Sequence, residues 1–337
     1  MKTPFMVAEL SANHNGSAKR AHWILEAAAE SGANAIKLQT FEPHEMAPKS
    51  EAPECVVSGG QWDGRSLFSL YQEGHTPREW HKGLFSHAKD LGLVCFSSPF
   101  SKSAVDFLET LDCPIYKIAS FELTDLSLIE YAASTKKPIV ISTGMATHGE
   151  ITQAVHAAKY GGCPHLTLLH CVSNYPCELQ DAQLYRMLDL AELFEDLEIG
   201  LSDHSAGGLV AMLATAMGAT MIEKHLTLAR SDGGLDSAFS MEPAEFADMV
   251  ASCRLASVIR DGLNNGAPDR SMRQYRRGLY LAHDVKAGDA ITEESLVALR
   301  PCLGAPADSR GVWVGMRFDR DVARHTPFTN DLVAGKL

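Results

Sequence analysis

The stretch EIGLSDHSAGGLVAMLATAMGATMIEKHL, residues 198–226, reads as a strand, a helix and a second strand. EIGLSD (198–203) and MIEKHL (221–226) are short and mostly apolar, as parallel strands covered on both faces are. The intervening LVAMLATAMGATMI (209–222) is too short to cross a bilayer and is broken by Gly218, so it reads as a buried helix running into a strand. Each strand ends in a histidine beside a charged residue, His204 after Asp203 and His225 after Lys224.

The same unit recurs along the chain. Strand candidates lie at 5–10, 35–40, 93–98, 114–120, 138–143, 165–172, 198–203 and 221–226. Between them AKRAHWILEAAAESG, TPREWHKGLFSHAKDLG and GEITQAVHAAKYGG carry apolar residues at three- and four-residue steps and end on glycine, the pattern of amphipathic helices. An open doubly wound sheet gives a similar pattern, and the count of eight favours a closed (β/α)8 TIM barrel. The connection 41–75 is longer than barrel loops usually are and predicts a functional excursion over the active face. The pattern stops after PAEFADMVASCRLASVIRDG (243–262), at the polar NNGAPDRSMRQYRR (264–277). The expected organisation is a barrel at 1–262, a linker at 263–277 and a small β-rich domain at 278–337, where short β-like pieces alternate with turns.

Composition narrows the function. A net charge of −12 argues against a nucleic-acid or anionic-membrane partner, so an anionic substrate has to be held by locally placed cations. No segment has the roughly 20 apolar residues of a membrane span, and MKTPFMVAEL lacks the features of a secretory signal, which predicts a cytoplasmic protein. The eight cysteines are scattered without a CxxC pair and read as reduced thiols, Cys95 and Cys171 as small hydrophobes within apolar runs.

Active sites of (β/α)8 barrels lie at the C-terminal strand ends, and polar residues interrupt nearly every one here. They are Glu9, then Lys37 and Gln39, Ser97 and Ser98, Lys117 with Ser120 and Glu122, Ser142 and Thr143, Ser173, Ser202 to His204, and Glu223 with His225. Burying unpaired polar groups costs roughly 2–7 kcal/mol each, so such a ring calls for a function. A lone strand-end histidine is ordinarily a hydrogen-bonded structural residue. The pair is different: alternation puts Ser202 with His204 on one face and Glu223 with His225 on one face, and inward-facing neighbours would bring the imidazoles together. Two imidazoles with open positions suit a divalent ion acting as a Lewis acid on a carbonyl. Lys224 alternates with the inward pair and is expected to face the helices. Lys37 and Lys117, in AIKLQT and IYKIAS, are poor idle surface charges; they bind an anion or one forms a Schiff base. His22, His81, His87 and His156 fall on predicted helices and read as solvated or capping residues.

AELSANHNGS (8–17), IKLQT (36–40), FSSPF (96–100), YKIASFE (116–122), ISTGMAT (141–147), GLSDHS (200–205), IEKHLTL (222–228) and DSAFS (236–240) together resemble the sialic acid synthase family. GLYLAHDVKAGD and RPCLG extend the resemblance to that family's C-terminal antifreeze-like (SAF) domain. Within it, ELSANH, SGGQWDG, TPREWH, SSPF and KIASFE are similar to the pseudaminic acid synthases rather than to the N-acetylneuraminic acid synthases, which commonly read EIGINH, STPF and KIGSGE.

The resemblance implies a condensation of phosphoenolpyruvate with an open-chain acylamino sugar, 2,4-diacetamido-2,4,6-trideoxy-L-altrose, giving a nine-carbon 2-keto acid and phosphate. It implies phosphoenolpyruvate binding by Lys37, Ser98, Lys117, Ser120, Ser142, Ser173 and Ser202, and sugar binding by Gln39, Tyr175, Asp236 and Arg300. His204 and His225 match its metal ligands, usually for Mn²⁺ or Mg²⁺, and Glu9 a catalytic or metal-proximal carboxylate. Proton transfer calls for Glu9, Glu122 or Glu223, with the choice open. In the family the arginine matching Arg300 reaches the barrel of the other subunit, which implies a domain-swapped homodimer. Alternatives are an N-acetylneuraminic or legionaminic acid synthase, a Schiff-base aldolase on Lys37 or Lys117, and a non-catalytic sugar-acid binding protein.

Overall fold

The computed structural model describes residues 3–263, 270 and 272–335, so positions 264–269 and 271 of the expected linker lie outside the described residues. The chain divides into two compact units, Met1–Asn264 and Asn265–Leu337.

Unit one is a closed barrel of eight parallel strands in sequential order, β1 Phe5–Glu9, β2 Ala35–Thr40, β3 Val94–Pro99, β4 Tyr116–Ile118, β5 Ile139–Ser142, β6 Leu166–Cys171, β7 Glu198–Asp203 and β8 Met221–His225. Helices alternate with them: α1 Ala18–Glu30, α2 Pro43–Met46, α3 Leu67–Gly74 and α4 Arg78–Asp90 before β3, then α5 Lys102–Glu109, α6 Leu126–Ser134, α7 His148–Gly161, α8 Tyr185–Leu193, α9 Leu209–Ala216 and α10 Pro243–Leu263. Local chemistry sets their ends. Ser17, Ser101 and Asp125 cap α1, α5 and α6, and Thr147 with Glu150 forms a capping box on α7. Gly200 in β7 is required by packing, since a Cβ there would lie 2.4 Å from the Met221 carbonyl oxygen.

Register decides what faces the barrel axis. Glu9 pairs with Lys37 on one side and His225 on the other, and Ser202 pairs with Glu223, so these side chains share the inward face. Asp203 pairs with Lys224 on the outward face. There Lys224 Nζ lies 2.6 Å from Asp203 Oδ2 under the helices, a buried ion pair rather than a solvated charge.

The second unit pairs β9 Gly278–Leu281 with β10 Leu296–Leu299 antiparallel around a core of Leu279, Leu281, Val285, Ile291, Leu296, Phe318, Phe328 and Leu332. Much of its remaining β structure is single bridges, such as Val285 to Val322 and Phe318 to Val333. Among the described residues no helix is long and apolar enough to cross a membrane.

Candidate active site

The C-terminal mouth of the barrel holds a buried cluster of two lysines and two glutamates. Lys37 Nζ lies 2.8 Å from Glu9 Oε2 and 3.3 Å from Glu223 Oε1, and Lys117 Nζ lies 3.6 Å from the same Glu223 oxygen. Ser202 Oγ donates to Glu223 Oε1 at 3.0 Å, and Lys37 reaches Ser98 Oγ at 3.5 Å. The lysines are therefore paired with carboxylates, a state the choice between anion site and Schiff base had not included. Burial opposes ionisation of Glu223, but Lys117, Lys37 and the Ser202 hydroxyl hold its carboxyl down at about 2. Burial also works against Lys37, yet Glu223 and Glu9 outweigh it and raise its pKa. For Lys117 burial prevails and lowers the pKa, and for Glu9 burial raises it despite Lys37.

Beside the cluster, hydroxyls converge on the turn after β5. Gly144 N donates to Ser120 Oγ at 3.1 Å, and a Cβ on Gly144 would lie 2.3 Å from Ser173 Oγ and 2.8 Å from Ser120 Oγ. Ser142 Oγ is buried with no hydrogen-bond partner among the described residues. Ser120 and Ser173 thus crowd the bare Gly144 backbone, two residues beyond Ser142. Glu122 follows in the turn Ser120–Glu122, and burial raises its pKa to about 7, with Lys117 opposing. Its Oε2 also lacks a hydrogen-bond partner among the described residues.

The two histidines stand with ring centroids 5.3 Å apart. His204 Nδ1 lies 2.9 Å from the Val172 carbonyl, which as acceptor puts the proton on Nδ1 and leaves Nε2 as a lone-pair donor. His225 Nδ1 is buried without a hydrogen-bond partner among the described residues, and burial, then His204, push its pKa well below the ordinary value, favouring the neutral ring. These residues fit a divalent cation. Among the described residues no three histidine, cysteine or carboxylate groups are arranged to hold an ion, so the protein would supply two imidazoles and leave other positions to water and substrate. Tyr175 packs over both rings, 4.2 Å from His204 and 6.3 Å from His225 between centroids.

Cys171 departs from the expected small hydrophobe. It faces inward, its sulfur 3.9 Å from His204 Nδ1 and 3.8 Å from Ser173 Oγ. His81 likewise departs from the solvated reading. It is fully buried, with Nε2 2.8 Å from Thr40 Oγ1 and Nδ1 3.1 Å from the Pro77 carbonyl.

Residues 24–263 match the NeuB family and residues 276–334 match the SAF domain. The chain belongs to the NeuB family. A pseudaminic acid synthase of Helicobacter pylori is 42% identical over 100% of both chains. An N,N'-diacetyllegionaminic acid synthase of Legionella pneumophila is 35% identical, covering 96% of this chain and 93% of that one. The crystal structure of the N-acetylneuraminic acid synthetase of Leptospira borgpetersenii in complex with citrate superposes with a TM-score of 0.71 at 32% identity, covering 80% of this chain and 89% of that one.

In this NeuB chain the remaining expected residues divide by place. Gln39 Nε2 donates to Glu9 Oε1 at 3.1 Å, and Asp236 sits in the loop after β8, accepting from Ser11 Oγ and from Ala12 N at 3.3 Å. Arg300 is exposed at the end of β10 in the second unit. Three contributors were not among the expected site residues, although each lies in a quoted motif, Ser11 in ELSANH, Trp62 in SGGQWDG and Gly144 in ISTGMAT. Ser11 joins Gln39 to Asp236, Gly144 lies against Ser120 and Ser173, and Trp62 brings the long excursion to the mouth. The Trp62 indole donates to the Leu235 carbonyl at 3.0 Å and its ring lies 5.9 Å from Tyr175.

Proposed function

We propose that this NeuB-family chain is a pseudaminic acid synthase, condensing phosphoenolpyruvate with 2,4-diacetamido-2,4,6-trideoxy-L-altrose in a metal-dependent reaction. The observation that carries the reading is the convergence, in one barrel mouth, of two adjacent imidazoles and two buried lysines among strand-end serines. Full-length likeness to pseudaminic acid synthases at 42% identity selects this sugar over those of the legionaminic and N-acetylneuraminic relatives.

In this reading Lys117, Ser120, Ser142 and Ser173 donate to the phosphate and Lys37, Ser98 and Ser202 to the carboxylate of phosphoenolpyruvate; the burial of both lysines and of Ser98, Ser142 and Ser202 supports it. A divalent ion, Mn²⁺ or Mg²⁺, held by His204 and His225 would polarise the sugar aldehyde. Gln39, Tyr175 and Asp236 orient the sugar so that C3 of the enol phosphate forms the new bond to the aldehyde carbon. The aldehyde oxygen takes a proton, and water adds to C2 of the former enol. The C2–O bond to phosphorus then breaks, giving the keto group and inorganic phosphate. Glu122, poised at about 7, is the proton donor of choice, while Glu223 at about 2 stays ionised and Glu9 keeps Lys37 oriented. Arg300 reaches the sugar in the barrel of a second copy within a domain-swapped homodimer. The enzyme works in the cytoplasm.

A phosphate-release assay with phosphoenolpyruvate and a panel of acylamino sugars, with and without chelator, tests the reading. Release that depends on metal and is fastest with the altrose derivative is expected. Release only with N-acetylmannosamine would overturn the substrate, and a borohydride-trapped lysine adduct would overturn the chemistry.

A further inference from the structure

Ser11 adopts a left-handed backbone, φ 50°, in the turn between β1 and α1. A non-glycine residue there is uncommon, and glycine would take the conformation at no steric cost. Such outliers persist where the surroundings hold them and where the side chain is used. The Ser11 side chain is nearly fully buried and used twice: its hydroxyl donates to Asp236 Oδ2 and accepts from Gln39 Nε2 at 3.3 Å. The second Gln39 amide proton goes to Glu9 Oε1 at 3.1 Å. The bonds form one directional relay, from Gln39 to Glu9 on one side and from Gln39 through Ser11 to Asp236 on the other.

The loops Ser11 joins do not depend on it for their association. Asn13 Nδ2 donates to the Leu226 carbonyl at 2.9 Å and to Ser240 Oγ at 2.8 Å, Asn15 Nδ2 to the Gly233 carbonyl at 2.9 Å, and Arg20 pairs with Asp232 at 2.6 Å. What Ser11 alone adds is the orientation of the Asp236 carboxylate and of the Gln39 amide. Without its hydroxyl, the Asp236 carboxylate keeps one hydrogen bond among the described residues, from the Ala12 N–H at 3.3 Å.

We infer that Ser11 is a positioning residue for sugar recognition, fixing Asp236 and Gln39 in one geometry and linking the sugar side of the mouth to Glu9. This rests on the proposed reading of Asp236 and Gln39 as sugar contacts. The test uses Ser11→Gly, Ser11→Ala, Asp236→Asn and the Ser11→Gly/Asp236→Asn double variant of the full chain. Losing a hydrogen bond to a charged group predicts a KM for the sugar raised roughly 10- to 100-fold in Ser11→Gly, with the KM for phosphoenolpyruvate within about twofold of wild type. Glycine relieves the backbone while the lost hydroxyl takes a hydrogen bond from Asp236 Oδ2, so the melting temperature of Ser11→Gly serves to establish that the variant is folded at the assay temperature. In the double variant the Ser11 effect should vanish. An unchanged sugar KM in a folded Ser11→Gly protein, parallel rises in both KM values, or additive effects with Asp236→Asn would each overturn the inference. Wild-type protein inactive on every acylamino sugar would instead count against the proposed function. Crystal structures of wild type and Ser11→Gly then decide: a displaced Asp236 carboxylate supports positioning, and an unmoved one overturns it.

Discussion

Replacing Glu223 by glutamine keeps its shape and an oxygen for the Ser202 hydroxyl but removes the carboxylate that Lys37 and Lys117 share. Lys37 retains Glu9 at 2.8 Å, whereas Glu223 is the one carboxylate within ion-pair reach of Lys117 among the described residues. Breaking a buried pair from one side costs about 3–5 kcal/mol, because the remaining charge is left uncompensated. The direction of titration agrees: Lys117 and Lys37 outweigh burial and hold the Glu223 carboxyl below the usual carboxylate range, so its ionised form favours the folded state. That contribution is complete above the unfolded value and is lost as the pH falls toward the folded one. For a barrel of this size, about 3 kcal/mol corresponds to a melting temperature lower by about 6–12 °C. Thermal melts at pH 7 with chelator present should show it for Glu223→Gln, and Glu223→Gln/Lys117→Met should recover most of the loss by removing the stranded charge. If Glu223→Gln melts with the wild type, or if the double variant is less stable than the single one, the cluster does not carry the energetics assigned to it.

His204→Ala and His225→Ala should each lose binding of Mn²⁺ alone, read by calorimetry, together with turnover; full activity after exhaustive chelation would contradict this. If Glu122 donates a proton from a pKa of about 7, kcat should fall as pH rises through that value, and Glu122→Gln should flatten that limb and lower kcat about 10²- to 10⁴-fold. If, as proposed, Arg300 serves the barrel of a second copy, mixing Arg300→Ala with His204→Ala chains under conditions of subunit exchange should restore up to about half the activity per heterodimer, because one of the two sites would then be whole. Demonstrated exchange without recovery would exclude a site shared between chains.

The barrel was legible because each strand is a short apolar run ended by a polar residue, and the inward set follows from alternation once the strands are in register. Glu9, Lys37, Ser202, Glu223 and His225 are such positions. The expected fourth strand, 114–120, is cut to Tyr116–Ile118 because the backbone turns into Ser120–Glu122, which carries the Ser120 hydroxyl and the poised carboxyl. His81 could have been found: with Leu84 and Ala88 it lies on the buried stripe of α4, a spacing that outweighs its polarity. The partners of Lys37 and Lys117 depend on which strands adjoin across the barrel, which composition does not reveal. Ser11 was illegible, since nothing in ELSANH marks a serine whose backbone is left-handed.

The central claim is condensation by C–O cleavage at this mouth, and the most direct measurement follows the bridging oxygen. Phosphoenolpyruvate carrying heavy oxygen at C2 is incubated with the altrose derivative, divalent metal and enzyme, and phosphate and sugar acid are weighed by mass spectrometry. The account predicts the label in the released phosphate and a nine-carbon keto acid without it. Label retained at C2 of the product, or consumption of substrate without phosphate release, would contradict it.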